Sequence, residues 1–449
     1  MTSKTRSVAL AGAGLLMIGL TACGNSKDAD ADAAGSGGTA AGATSADGTF
    51  AVDASACPAE ATTELAEGEP IVIGTSQPLS GPLAVAGAAN VSGFTAYIDK
   101  VNKAGGVAGH QIELVTKDDA FDAARAVTNA QSFTGEDGVF ATMAQIGTPQ
   151  ISATQPILEA ACVPQLWTIT TSAGFADPAE HEWTINGIPP APVEAKAIVD
   201  YIAGKVPGGT VTELKGSDAL AEDFHAALPA LAEEAGLTMQ PDQTIPAGAT
   251  TIDAQVSAAV AGSPDAIVLE ALPNYAPGFL TGLARAGYKG LVVLNSSANA
   301  AGQWVTPSDP AGEGAVVPLF RKDPSDPRWA DDPAVQEYLA DMEAAGEGKA
   351  AMFGNALDGY NFALMTVQNL KDAAEMEGGL TRVNVMNAAW NMDMQRPLMI
   401  NPEQVTSGPT DPYAVESGEM GAYSAATKGW ESVGEWDYSG QSVEIIGQK

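Results

Sequence analysis

Short apolar runs alternate with amphipathic stretches of helical length from residue 71 to residue 294, and this rhythm constrains the fold more than any other feature. Ile71–Thr75 is a brief apolar run ending in small residues, as a buried strand requires. Asn90–Lys103 follows with Val91, Phe94, Ile98 and Val101 at helical spacing, and Gly105-Gly106 ends it. The alternation continues through strands at 111–115, 139–143 and 165–169 and helices at 121–133 and 149–161. A second series begins after Ile188-Pro189-Pro190-Ala191-Pro192, with helices at 193–203, 219–235, 250–261 and 277–286. Its strands are expected at 210–214, 237–245, 266–269 and 291–294. Strands separated by helices of 10–15 residues predict mainly parallel sheets covered on both faces, and two series predict two Rossmann-like lobes. The Pro- and Asp-rich stretch 306–333 is expected to be a loop before a helix at 357–370. A length of 449 residues allows cores of that size.

The N-terminus carries a targeting signal. Lys4 and Arg6 precede an apolar run from Val8 to Leu20, too short to span a membrane. Leu20-Thr21-Ala22-Cys23 resembles a bacterial lipobox, which implies a signal peptide over 1–22 and lipidation at Cys23 on the extracytoplasmic face; an ordinary secretory peptide with a chance cysteine is the alternative. Residues 23–56 are assigned to a tether, because the stretch to Asp47 holds no large apolar residue. Two further cysteines, Cys57 and Cys162, are expected to form one disulfide in an exported protein, with two free thiols as the alternative.

Composition removes several function classes. Asp and Glu total 55 against 21 Lys and Arg, a formal net charge of −34, which excludes a grip on nucleic acid or on anionic lipid through basic residues. There are three histidines, His110, His181 and His225; His181-Glu182 has Ile185 where a zinc-protease motif needs its second histidine. No nucleophile elbow, Walker loop or Gly-x-Gly-x-x-Gly occurs. The chain is expected to be no enzyme and to need no metal or cofactor. Ligand binding remains, and in open α/β sheets ligands sit beyond the C-terminal ends of the strands. Two places fit. In Gln145-Ile146-Gly147-Thr148-Pro149, Gly147 permits close approach and Thr148 is a candidate helix cap; Thr168-Ile169-Thr170-Thr171-Ser172 is rich in hydroxyls. Ordinary capping turns are the alternative at both.

Several segments in order resemble the lipoprotein substrate-binding components of ABC importers, of the branched-chain amino acid type with the type I periplasmic binding fold. They are Gln77-Pro78-Leu79-Ser80-Gly81-Pro82, Val101-Asn102-Lys103-Ala104-Gly105-Gly106-Val107, Lys117-Asp118-Asp119, Gly147-Thr148-Pro149, Val163-Pro164-Gln165-Leu166-Trp167, Pro264-Asp265-Ala266-Ile267-Val268 and Ala284-Arg285-Ala286-Gly287-Tyr288. The resemblance implies two lobes joined by three crossovers, a cleft between them, a small amino acid or carboxylate as ligand, delivery to permease subunits and a monomer. Aromatic or aliphatic carboxylates, amides, or a sensing role are the alternatives. The expected boundaries are 57–188 and 316–400 for the first lobe, 189–315 for the second, and 401–449 returning to the second. By resemblance Thr148, Thr171 and the backbone of Ile169, beside Gly147, hold a ligand carboxylate, and Ser80 and Gly81 line the cleft mouth. Where the family has an aromatic and a glycine, this chain has Ser217-Asp218-Ala219-Leu220; where amino-acid binders place an acid, it has Asn295-Ser296-Ser297. Glu270 or Asp218 is the candidate replacement for that acid beside Ser297. Tyr275 and Trp167 are candidate stacking residues, with core packing as the alternative.

Overall fold

The computed structural model describes residues 43–44, 49–81 and 83–447. The signal segment and Cys23 lie outside the described residues, as does Pro82. Five parallel strands make the first sheet: β1 (Ile71–Gln77), β2 (Ile112–Asp118), β3 (Ala141–Met143), β4 (Gln165–Thr168) and β5 (Thr184–Asn186), in the order β2-β1-β3-β4-β5. Helices α1 (Ala84–Lys103), α2 (Ala123–Thr134) and α3 (Thr148–Ala160) connect them. One face packs Phe133, Val139, Leu158 and Val163; the other packs Ile71, Ile73, Phe94 and Trp167. Burial of each such side chain contributes about 1.5–3 kcal/mol.

The second sheet is mixed. Its strands are β6 (Thr210–Lys215), β7 (Thr238–Met239), β8 (Gln243–Thr244), β9 (Ala266–Glu270), β10 (Leu291–Leu294), β11 (Val316–Leu319), β12 (Ser417–Ser424) and β13 (Gly429–Asp437). The order is β8-β6-β9-β10-β11-β12-β13, with β7 also on β6; only β12 and β13 run antiparallel to their neighbours. Alternation splits β9: Ala266 and Val268 face α4 (Ala191–Lys205) and α5 (Ala219–Glu234), whereas Ile267 and Leu269 face α6 (Asp253–Ala261) and α7 (Ala276–Ala286).

The chain then returns to the first lobe. Helices α8 (Pro333–Ala344), α9 (Gly354–Glu375) and α10 (Arg382–Trp390) pack there, so crossovers follow β5, β11 and α10. Helix α9 lies directly on α1: a Cβ on Gly359 would stand 2.1 Å from the Asn90 carbonyl oxygen, so only glycine permits this approach.

Four expectations need correction. The tether does not extend to residue 56: Phe50 is buried against Trp390 with rings edge-on, its N–H bound to Asn391 Oδ1 at 2.9 Å, so the first lobe begins there. The expected strand 237–245 is broken into β7 and β8, because Pro241 between them has no N–H to give a ladder. The expected loop 306–333 contains β11, so the chain leaves the second lobe after Leu319 rather than at 316. Helices α8 and α10 and the β12–β13 hairpin fall in stretches given no elements. The Cys57–Cys162 disulfide is present, with Cα atoms 5.7 Å apart, and ties the segment before β1 to the end of α3.

Candidate functional site

The first-lobe wall is built at the C-terminal edge of its sheet. Gly147 is the N-cap of α3 at φ 102°; a Cβ there would meet Gln150 Oε1 at 2.2 Å and the Phe121 ring at 2.7 Å. Thr148 is therefore the first helical residue rather than the cap, and its side chain accepts no capping bond. Its Oγ1 pairs with Thr170 Oγ1 at 2.8 Å instead. Gly147 N–H donates to the Ile169 carbonyl at 3.0 Å, which brings the two expected turns side by side. Thr171 is buried, and its carbonyl accepts the Ala191 N–H at 2.8 Å, so the first residue of α4 abuts the same patch.

Asp223, on α5 of the second lobe, was not singled out by the sequence. Thr171 Oγ1 donates to Asp223 Oδ2 at 2.9 Å, across from one lobe to the other. Burial raises the Asp223 carboxyl above its usual range, and the Thr171 hydroxyl partly offsets the rise. Thr171, one of the donors expected to hold a ligand carboxylate, is thus engaged with a carboxylate of the chain itself.

Behind Asp223 the second lobe gathers buried acids under α4 and α5. Glu270 ends β9 on the face of Ala266 and Val268, and is 0 % exposed. Neither of its oxygens has a hydrogen bond of good geometry. Burial, then the charges of Glu194 and Glu213, hold its carboxyl well above the usual range, with the Asn295 amide as a small offset. Glu194, in the first turn of α4, accepts the Ser296 N–H at 2.5 Å and the Ser296 hydroxyl at 2.6 Å. Burial pushes its carboxyl up to about 7 despite those bonds. Glu213 on β6 lies 2.6 Å from His225 Nδ1. Ser296, in the turn after β10, thus binds an acid supplied by α4.

The other expected residues are placed as follows. Asp218 caps α5, accepting the Ala221 N–H at 3.2 Å, and is not beside Glu270's oxygens as a partner. Ser297 donates to the Ala271 carbonyl at 3.3 Å and to Asn295 Oδ1, closing the turn after β10. Tyr275 follows β9 but packs on the α6–α7 side of the sheet, the face opposite Glu270. Ser80 is exposed and donates to Asp118 Oδ2 at 2.6 Å; Gly81 follows in the left-handed region at φ 80°. Trp167 is a core residue, its Nε1–H bound to Asn369 Oδ1 at 3.1 Å. Among the described residues no group of three or more potential ligands is arranged for a metal ion, and no helix is long and apolar enough to cross a membrane.

Comparison with known proteins agrees with this architecture. A fatty acid ABC transporter substrate-binding protein from Thermomonospora curvata superposes with a TM-score of 0.71 at 22% identity, covering 86% of this chain and 97% of that one. A branched chain amino acid ABC transporter protein from Thermus thermophilus with bound valine gives 0.75 at 15% identity, over 85% and 99%. A leucine binding protein from Thermotoga maritima gives 0.66 at 17% identity, over 82% and 99%. At these identities the likeness is one of fold. Among curated proteins none matches the chain significantly. The profile of the periplasmic binding protein family, which is extracytoplasmic and binds solutes rather than transforming them, matches residues 70–411. The chain therefore belongs to the periplasmic binding protein family.

Proposed function

We propose that this chain is the solute-capturing component of an ABC importer, held to the membrane through an acylated Cys23, and that it closes two lobes over a small amine-bearing solute for a permease. The observation that carries the reading is the Thr171–Asp223 hydrogen bond at 2.9 Å, made between the lobes at the C-terminal edges of their sheets. Gly147, Thr148, Ile169 and Thr171 form one wall of the cleft, and Glu270, Ser297 and Asp218 contribute to the other. Ser80 and Gly81 border its mouth. Valine, leucine and fatty acids, named for the structural neighbours, all carry a carboxylate. The acids of this second lobe favour an amine instead.

Thermal unfolding of the ligand-stripped protein against amines, amino acids and carboxylates tests the reading. A ligand at 100 times its dissociation constant stabilises by about 2.7 kcal/mol. Thr171→Ala removes a hydrogen bond to a charged group made on closure, and the stabilising solute should then bind about 1.5–3 kcal/mol more weakly. Unchanged affinity in both Thr171→Ala and Thr148→Ala would move the site away from this cleft.

A further inference from the structure

The chemistry of the cleft narrows its solute class. Resting on the interlobe reading above, we infer that the solute is an organic cation that carries no carboxylate, held by Glu270 and Glu194, with Asp223 standing where an amino acid would place its carboxylate.

Three observations carry this. The first is occupancy: the Thr171 hydroxyl donates to Asp223 and the Thr148 hydroxyl is paired with Thr170, so a ligand carboxylate would compete for both donors and meet a like charge. The second is the isolation of Glu270, fully buried with both oxygens unpartnered. It ends a strand whose next residue, Ala271, is bound through its carbonyl by Asn295 and Ser297, the turn that also holds Glu194. The third is that the neighbouring cation is committed: Lys215, in register with Glu270 on the adjacent strand, lies 3.5 Å from Glu222 and 4.0 Å from Asp242. A buried carboxylate is stable only when protonated or paired, and among the described residues neither oxygen of Glu270 has a hydrogen-bond partner. A metal ion is a poor occupant, since among the described residues no ligand cluster is arranged for one. An ammonium or guanidinium brings both charge and N–H donors, which the oxygens of Glu270 lack.

Titration calorimetry at pH 8 on the ligand-stripped protein tests this with ethylammonium, putrescine and guanidinium set against leucine and isovalerate. The cations should bind, and the two carboxylate probes should not. Glu270→Gln should weaken the cations tenfold or more, with a thermal unfolding scan showing the variant folded. Asp223→Ala, at a half-buried position on α5, should free the Thr171 hydroxyl and give isovalerate measurable affinity. Leucine or isovalerate binding the unaltered protein as tightly as the cations, or Glu270→Gln binding cations unchanged, would overturn the inference while leaving the cleft as the binding site. Silence from every probe in both the unaltered protein and Asp223→Ala would overturn the cleft reading as well.

Discussion

Glu194 shows how one residue sets a pH dependence for the whole protein. Its folded carboxyl titrates at about 7, because burial disfavours the charge more than Ser296 favours it. The unfolded chain titrates near 4.3. Between these values the folded state binds the extra proton, so its stability is fully present below the unfolded value and is lost as pH rises through about 7. Glu270 shifts in the same direction for the same cause. Denaturant unfolding of the ligand-free protein should show stability falling across pH 4.5–7.5, and Glu194→Gln should remove roughly 3 kcal/mol of that fall. A slope unchanged in the variant would place the proton elsewhere. Of this cluster the sequence pointed only to Glu270; Glu194 and Glu213 carry a weaker signal, flanked in the chain by Val193 and Ala195 and by Thr212 and Leu214. Among 55 acids, only the pairing of faces singles these out. Asp223 carried no such signal, since its role depends on the approach of another lobe.

Elements of strong periodicity were legible, and those defined by their neighbours were not. The apolar runs of β1, β9 and β10 and the stripe of α9 announce themselves. The strand β11 is four residues long and contains Pro318, which demotes a run to an edge or to no strand at all. It nevertheless lies between β10 and β12, sustained by the ladder on both sides. At α3 the sequence indicated the turn but misplaced the cap by one residue, because Thr resembles a better cap than Gly. The backbone at Gly147 decides otherwise, since no side chain fits against Gln150 and Phe121. Gly147→Ala should destabilise the protein by about 1–3 kcal/mol and tilt the start of α3, so that solute affinity falls with it. A chemical-denaturation midpoint equal to the unaltered protein's would show that this turn accommodates a Cβ.

At the scale of the molecule, each lobe has its own core, and the disulfide belongs to only one of them. Phe94, Trp167, Phe362 and Trp390 pack within the first lobe; Val268, Phe224 and Met420 pack on one face of the second sheet and Phe279, Tyr423 and Trp430 on the other. The Cys57–Cys162 bond closes a separation of 105 residues, most of the first half of the first lobe, and leaves the second lobe untouched. Removing it restores chain entropy to the unfolded first lobe alone, a loss of roughly 2–5 kcal/mol. Cooperative unfolding then breaks down if the second lobe outlasts the first, because the lobes are linked by three crossovers and by closure contacts such as Thr171–Asp223. In calorimetry, Cys57→Ser with Cys162→Ser should lower the first transition by several degrees and leave a later one near the original temperature. A bound solute should draw the two transitions together, since it bridges both lobes and is released when either unfolds. One transition shifted as a whole, with and without solute, would mean that the interface between lobes is stronger than its few bonds imply.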